Sequence, residues 1–269
     1  MIIDSHTHIG KLPHSLYSES YRKNLELILK EAEENSVDKL VVIAGLEKED
    51  GLNVTTKSLL NLIRGHENVY AVAGVNIDYE KDYLNQLDRW LKENKIIGVK
   101  FHTGYQHFYP SDERCRPIYE LCLKHDVPVI FHSGDTLAGY VPNPKIKYSH
   151  PIHIDDAATD FPDLKIIIAH MGNPWLIDCA EVMYKNPNVY ADISGLVIGD
   201  ELHTPYGEIM KKKIQELAEY TAPEFKLLYG TDWPLCHMKQ YIKFAKNLGF
   251  NKSDTEKLFS GNAQKLFKL

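Results

Sequence analysis

No apolar run in this chain approaches the length of a membrane span, which argues against a transmembrane helix. Cysteine is scarce and scattered: Cys115, Cys122, Cys179 and Cys236 contain no CxxC pair, so free thiols in a reducing compartment are the expected state. Positive charge is in deficit, with 31 Lys+Arg against 37 Asp+Glu and a formal net charge of −6. A broad basic surface for nucleic acid is therefore excluded. The N-terminus has no basic segment ahead of an apolar one, so no secretory leader is read, and a cytoplasmic protein is expected. Linkers and low-complexity segments are missing too, and residues 1–269 are expected to form one domain. What is present is ordinary globular composition, 43% hydrophobic and 25% charged, in a chain long enough to bury a core without disulfides.

Short β-branched, apolar runs recur along the chain: IIDSH from Ile2, KLVVIAG from Lys39, VYAVAGV from Val69, IIGVKFH from Ile96, PVIFHSG from Pro128, KIIIAHMG from Lys165, VYADISG from Val189 and KLLYGTDW from Lys226. Most are continuous rather than alternating, as parallel strands covered on both faces require. Amphipathic helical patterns lie between them, beginning at Tyr21, Lys57, Asp82, Arg116, Pro174 and Gly207. Pro117 and Pro174 are read in the first turns of their helices, and Asn251 or Ser253 as a cap near the C-terminus. Eight strands alternating with helices predict an α/β fold, a (β/α)8 TIM barrel. A doubly wound sheet would carry a Gly-rich turn after its first strand, where SHTHIG stands instead. The irregular stretch from about Thr136 to Ile152 has the length of a lid or binding loop.

In such a barrel the chemistry lies at the C-terminal ends of the strands. Strand one ends in His6 and His8, strand four in Lys100 and His102, strand five in His132, strand six in His170 and strand eight in Asp232. Residues two apart on a strand share a face, so His6 and His8 both point to the mouth, with Asp4 expected one layer below. Their Cα atoms are then roughly 6–7 Å apart, near enough to lean onto one ion. Imidazole and carboxylate donors together suit zinc, and also iron, manganese or nickel. His6, His8, His132 and Asp232 make such a set. Asp192 in ADISG reads as a turn residue and stays outside it. His107 and His150 sit on loops within reach of the mouth, while His14 and the remaining histidines read as solvated or capping. Tyr105, Phe108, Tyr109, Tyr140, Trp175 and Trp233 follow strands and are candidates for an apolar wall around a flat or lactone-like substrate.

The stretches DSHTH, GVKFH, PVIFHSG, HPIHIDDAATDFPDLKIIIAHMG, VYADISG, YGTDWP and GNAQKLF run in order from one end of the chain to the other. In this the sequence resembles the amidohydrolase superfamily, in the branch that includes aminocarboxymuconate semialdehyde decarboxylase. The resemblance implies a distorted barrel, with His6, His8, His132 and Asp232 as metal ligands. It implies that His170 polarises substrate or acts as acid/base, or binds a second ion where two are held. It also allows a carbamylated lysine on strand four, near Lys100 and His102. This branch favours one ion, which leaves Lys100 to contact substrate or to pack behind the ligands.

Metal-assisted hydrolysis of a small ester, lactone or amide-like substrate is the first reading. The ion would lower the pKa of a water, Asp232 would take that water's proton to the leaving group, and His170 would steady the oxyanion. The alternative is a metal-dependent non-oxidative decarboxylase or hydratase acting on a small carboxylated ring or muconate-type compound. Such substrates favour an arginine clamp. Arginine is sparse here, and only Arg22, Arg114 and Arg116 follow strands near the mouth, which tilts the reading toward hydrolysis. A non-catalytic barrel with a closed metal site is the third reading. The expected partner is a small molecule, not nucleic acid or membrane, and a homodimer is the commonest assembly for such a chain.

Overall fold

The computed structural model describes residues 1–10, 20–47, 54–137 and 139–269. His14 and Ala138 lie outside the described residues. Each of the eight apolar runs forms a strand: β1 (Ile3–Thr7), β2 (Lys39–Ile43), β3 (Val69–Val75), β4 (Val99–Phe101), β5 (Val129–Phe131), β6 (Ile166–Ile168), β7 (Val189–Asp192) and β8 (Leu227–Leu228). They pair in parallel, each with the next in the chain, from β1 to β8. Continuous apolar runs suit this because both faces are covered. Leu40 and Val42 pack outward under the helices, while Val41 and Ile43 pack inward with Ile130 and Ile167 to fill the barrel.

β8 and β1 meet edge to edge through Ser5 N to Tyr229 O (3.0 Å), Asp232 N to His6 O (2.8 Å) and His8 N to Trp233 O (2.8 Å). That seam brings the first and last strands together, as the ligand set requires. β1 does not run straight. Its register against β2 shifts between Asp4 and Thr7. Ile3, in the inner core, and His6, on the pocket wall, therefore both face the barrel interior although they are an odd number of residues apart. Asp4 consequently does not sit beneath His6. It turns to the seam and accepts from Thr231 N (2.9 Å) and Thr231 Oγ1 (2.7 Å).

The helices are α1 (Tyr21–Glu34), α2 (Thr56–Leu62), α3 (Lys81–Lys92), α4 (Arg116–His125), α5 (Ile154–Asp160), α6 (Leu176–Lys185), α7 (Pro205–Tyr220), α8 (Met238–Lys246), α9 (Lys252–Glu256) and α10 (Asn262–Phe267). Pro117 lies in the first turn of α4 as expected. Pro174 does not start α6, which begins at Leu176 after Trp175. Asn251 is the cap of α9, its side chain accepting from Asp254 N at 2.9 Å. The loop after β5 is largely irregular, with short 3-10 turns at Ile146–Tyr148 and Pro151–His153. Among the described residues, no helix is long and apolar enough to cross a membrane.

Candidate metal centre and active site

A pocket of about 660 Å³, its open mouth included, lies at the C-terminal ends of the strands. His6, His8, Lys100, His102, His132, His170 and Asp232 all line it, together with Tyr105 and Tyr140. Each arrives from a different strand end or from two places on one, so the barrel rather than any local motif assembles the set.

Within the pocket, one nitrogen each from His6 and His8 and one oxygen from Asp232 lie within 4.8 Å of one another. Their second nitrogens decide what those atoms are. His8 Nδ1 is 3.0 Å from the Ile43 carbonyl, which can only accept, so Nδ1 carries the proton and Nε2 of the neutral ring is a lone pair. His6 Nδ1 is 2.8 Å from Asp192 Oδ2, which fixes the same tautomer. The two Nε2 atoms face each other at 3.3 Å, and Asp232 Oδ1 stands 3.3 Å from one and 3.7 Å from the other. Three electron-pair donors converge with no proton between them. That arrangement is repulsive by itself and is relieved by a cation, so the donor set fits a divalent metal ion.

Burial and charge agree with this. Burial, and then the Lys100 charge, push His6 down to about 3, so it stays a neutral donor. Burial alone would raise Asp192, but His6, His170 and Lys100 outweigh it and hold the carboxyl well below its usual range. Asp232 likewise resists its burial and is held low by the imidazoles gathered around it, His8 foremost. Burial lowers Lys100 to about 8, against the pull of Asp192 and Asp232. Burial pushes His102 and His132 well down, and the Lys100 charge adds to it. Asp4 at the seam is raised to about 7 by burial, against its bonds from Thr231.

His132 lines the pocket but is not in the three-residue cluster. Its Nε2 is 2.8 Å from the Asp135 carbonyl, which leaves Nδ1 as its donor atom, and its ring packs on Tyr105 and His170. His170 Nδ1 is 3.0 Å from the Ser194 carbonyl, so its Nε2 is the free nitrogen. His170 and Asp232 both have φ of +58°, in the left-handed region that histidine and aspartate tolerate better than most side chains. Gly195 packs against both: a Cβ there would lie 3.0 Å from Asp232 Oδ2 and 3.4 Å from His170 Nδ1.

Other expectations are corrected. Asp192 is no mere turn residue, since it orients His6 and also accepts from His170 N at 2.9 Å and Ser194 N at 3.1 Å. Of the aromatic residues considered, Tyr105 and Tyr140 line the pocket. Phe108 and Trp233 are buried in the core, Tyr109 packs on Tyr148 and His153, and Trp175 packs on His150. His107 bonds the Asn143 carbonyl away from the pocket lining. Arg114 is taken up by Asp78 and Asp112, and Arg116 by Glu113. Arg22 is exposed on α1.

A parallel eight-stranded barrel that gathers two histidines and an aspartate at its C-terminal mouth is the framework of a metal-dependent enzyme. The family model for Amidohydrolase matches residues 3–269, and the chain belongs to that family. Among curated proteins, gamma-resorcylate decarboxylase from Polaromonas sp. strain JS666 is 30% identical over 129 residues, which is 40% of this chain and only 36% of that protein's length. Among solved structures, an uncharacterised TIM-barrel protein from Bordetella bronchiseptica has a TM-score of 0.75 at 22% identity, over 99% of this chain and 98% of that one. A dihydroxybenzoic acid decarboxylase from Polaromonas sp. JS666, solved with bound manganese and the inhibitor 2-nitroresorcinol, has a TM-score of 0.71 at 16% identity, over 100% and 97%. At these identities the two structures speak for the fold.

Proposed function

We propose that the protein is a metal-dependent non-oxidative decarboxylase of a small carboxylated aromatic acid, in preference to the hydrolase first read from the sequence. The observation that carries this is Lys100. Its buried ammonium approaches His6 Nε2 at 3.5 Å, and among the described residues no carboxylate is in ion-pair contact with it. A substrate carboxylate pairs with such a cation from the moment it binds, whereas a neutral ester or lactone offers it only a carbonyl oxygen until charge develops in the reaction. The missing arginine clamp ceases to be an objection, because Lys100 and the ion can share that duty. The name of the curated relative supports a hydroxybenzoate, and the rings of Tyr105 and Tyr140, 5.1 Å apart, offer a wall for a flat substrate.

When bound at His6, His8 and Asp232, a divalent ion supplies Lewis acidity toward a substrate oxygen. Lys100 Nζ orients the carboxylate. His170 Nε2 holds the proton delivered to the ring carbon that bears it, while the Ser194 carbonyl anchors the opposite N–H. As the new C–H bond forms, the bond to the carboxylate breaks, carbon dioxide leaves, and the freed electron pair restores the aromatic ring. Asp192 and Asp232 remain anionic and keep the imidazoles in place. The tyrosine wall keeps water from the ring carbon.

The test is product analysis. Protein purified without chelator is assayed for metal content, expected at one ion per chain, with zinc and manganese told apart. It is then given 2,6-dihydroxybenzoate, related aromatic acids and a panel of lactones. Carbon dioxide and the decarboxylated phenol are the expected products. Acid release from lactones, with no carbon dioxide from any carboxylated ring, would restore hydrolysis. Two ions per chain would place Lys100 and His170 among the ligands.

A further inference from the structure

We infer that Glu31, on the outer helix α1, is a positioning residue for the metal centre, because its carboxylate fixes the segment that carries Asp232. The inference rests on the assignment of Asp232 as a ligand. α1 buries Leu25, Ile28 and Ala32 against the barrel, and Glu31 reaches sideways from it toward the chain leaving β8. There Oε2 accepts from Trp233 Nε1 at 2.9 Å, and Oε1 accepts from Met238 N at 2.7 Å and lies 3.2 Å from His237 Nδ1. One carboxylate thus ties down the residue directly after Asp232 and the first residue of α8.

Two features make this tie matter. α8 has no capping bond from the side chain of its own N-cap residue, His237. Glu31 does that work from another helix, putting an anion where the first N–H groups of α8 gather partial positive charge. Asp232 itself has φ of +58° and connects β8 to an irregular stretch ending at Met238. A residue in that region keeps its conformation only when its surroundings hold it there. On the strand side the holding is done by Asp232 N to His6 O at 2.8 Å and His8 N to Trp233 O at 2.8 Å. On the outer side it is done by Glu31. Without that anchor, the Trp233–Met238 stretch keeps its buried Trp233 and Met238 but loses its polar tie to α1, and Asp232 Oδ1 shifts relative to the two Nε2 atoms it faces.

The experiment measures affinity for Mn²⁺ by calorimetry and the absorption spectrum of the Co²⁺-substituted protein. It compares wild type with Glu31→Ala, Glu31→Gln and Asp232→Ala, and records thermal unfolding of each metal-free protein. Glu31→Ala is expected to weaken Mn²⁺ binding by about 10- to 100-fold, as groups that orient ligands do, and to alter the cobalt spectrum. Glu31→Gln keeps one acceptor oxygen and is expected to fall between Ala and wild type. Wild-type affinity and spectrum in a folded Glu31 variant, with affinity lost in Asp232→Ala, overturn the inference and leave the ligand assignment standing. Wild-type affinity in Asp232→Ala overturns the ligand assignment itself. If Glu31→Ala does not fold, Glu31→Gln decides: a folded Gln variant with unchanged affinity and spectrum shows that Glu31 only stabilises the fold.

Discussion

A histidine becomes a dependable ligand only when its second nitrogen has a fixed partner, and here the partners come from far along the chain. His6 relies on Asp192, 186 residues away, and Asp192 also receives the hydroxyl of Ser194. We expect Asp192→Asn to fold, because it is isosteric, yet to bind metal about 10- to 100-fold more weakly, since the amide no longer enforces the His6 tautomer. Metal titration beside circular dichroism checks this, and an unchanged affinity would reduce Asp192 to a scaffold residue. The histidines and Asp232 were legible in the sequence because strand ends announce themselves. Asp192 was not, because ADISG looks the same whether its carboxylate caps a turn or orients an imidazole. Glu31 was hidden for a similar reason: on α1 it reads as one more solvated charge, and only the packing of α1 beside the chain after β8 gives it a partner.

At the scale of elements, the strands were readable because burial on both faces leaves continuous apolar runs, and α4 was readable from its proline and its apolar spacing. The bend of β1 was not, since a register shift adds no unusual residue, and strict alternation along the strand therefore puts Asp4 beneath His6 instead of at the seam. The loop after β5 is recognisable by its length alone; its attachments include Lys145 N to Gly104 O at 2.9 Å and Asp135 N to Asn173 O at 2.8 Å, and a further one at Ser149. Buried Ser149 donates through Oγ to the Gly134 carbonyl at 2.6 Å, and its own carbonyl accepts from Gly134 N at 2.7 Å and Ser133 Oγ at 2.8 Å. The same loop carries Tyr140 to the pocket wall. Ser149→Ala should cost about 1 kcal/mol of stability for the lost hydrogen bond. We expect it to raise KM more than it lowers kcat, because it loosens a wall that contacts substrate while leaving the ligands in place. Steady-state kinetics on the carboxylated substrate distinguish this from a uniform loss of active protein, which would lower kcat alone.

For the molecule as a whole, the order of the strands was legible and the quality of the closure was not. From β1 to β7 each strand pairs with the next at three or four positions, whereas β8 is two residues long, pairs with β7 at two positions and meets β1 through a few hydrogen bonds around a single bridge between Thr7 and Trp233. The candidate ligands straddle that seam, with His6 and His8 on the β1 side and Asp232 on the β8 side. An ion bound there would join the two edges of the barrel, so metal binding and barrel closure should be one equilibrium. Any ligand that binds only the folded chain stabilises it by RT ln(1 + [L]/Kd), about 2.7 kcal/mol when the ligand stands at 100 times Kd. Removing the metal with a chelator should therefore lower Tm by several degrees in a chain of this size. The loss should also be local. Amide exchange at Ser5, His8 and Asp232, whose N–H groups cross the seam, should accelerate more than exchange at Val99 and Val129 in the middle of the β4–β5 side. If chelation empties the protein of metal yet leaves both Tm and seam exchange unchanged, the ion does not bridge β1 and β8, and the ligand set must be sought elsewhere in the pocket.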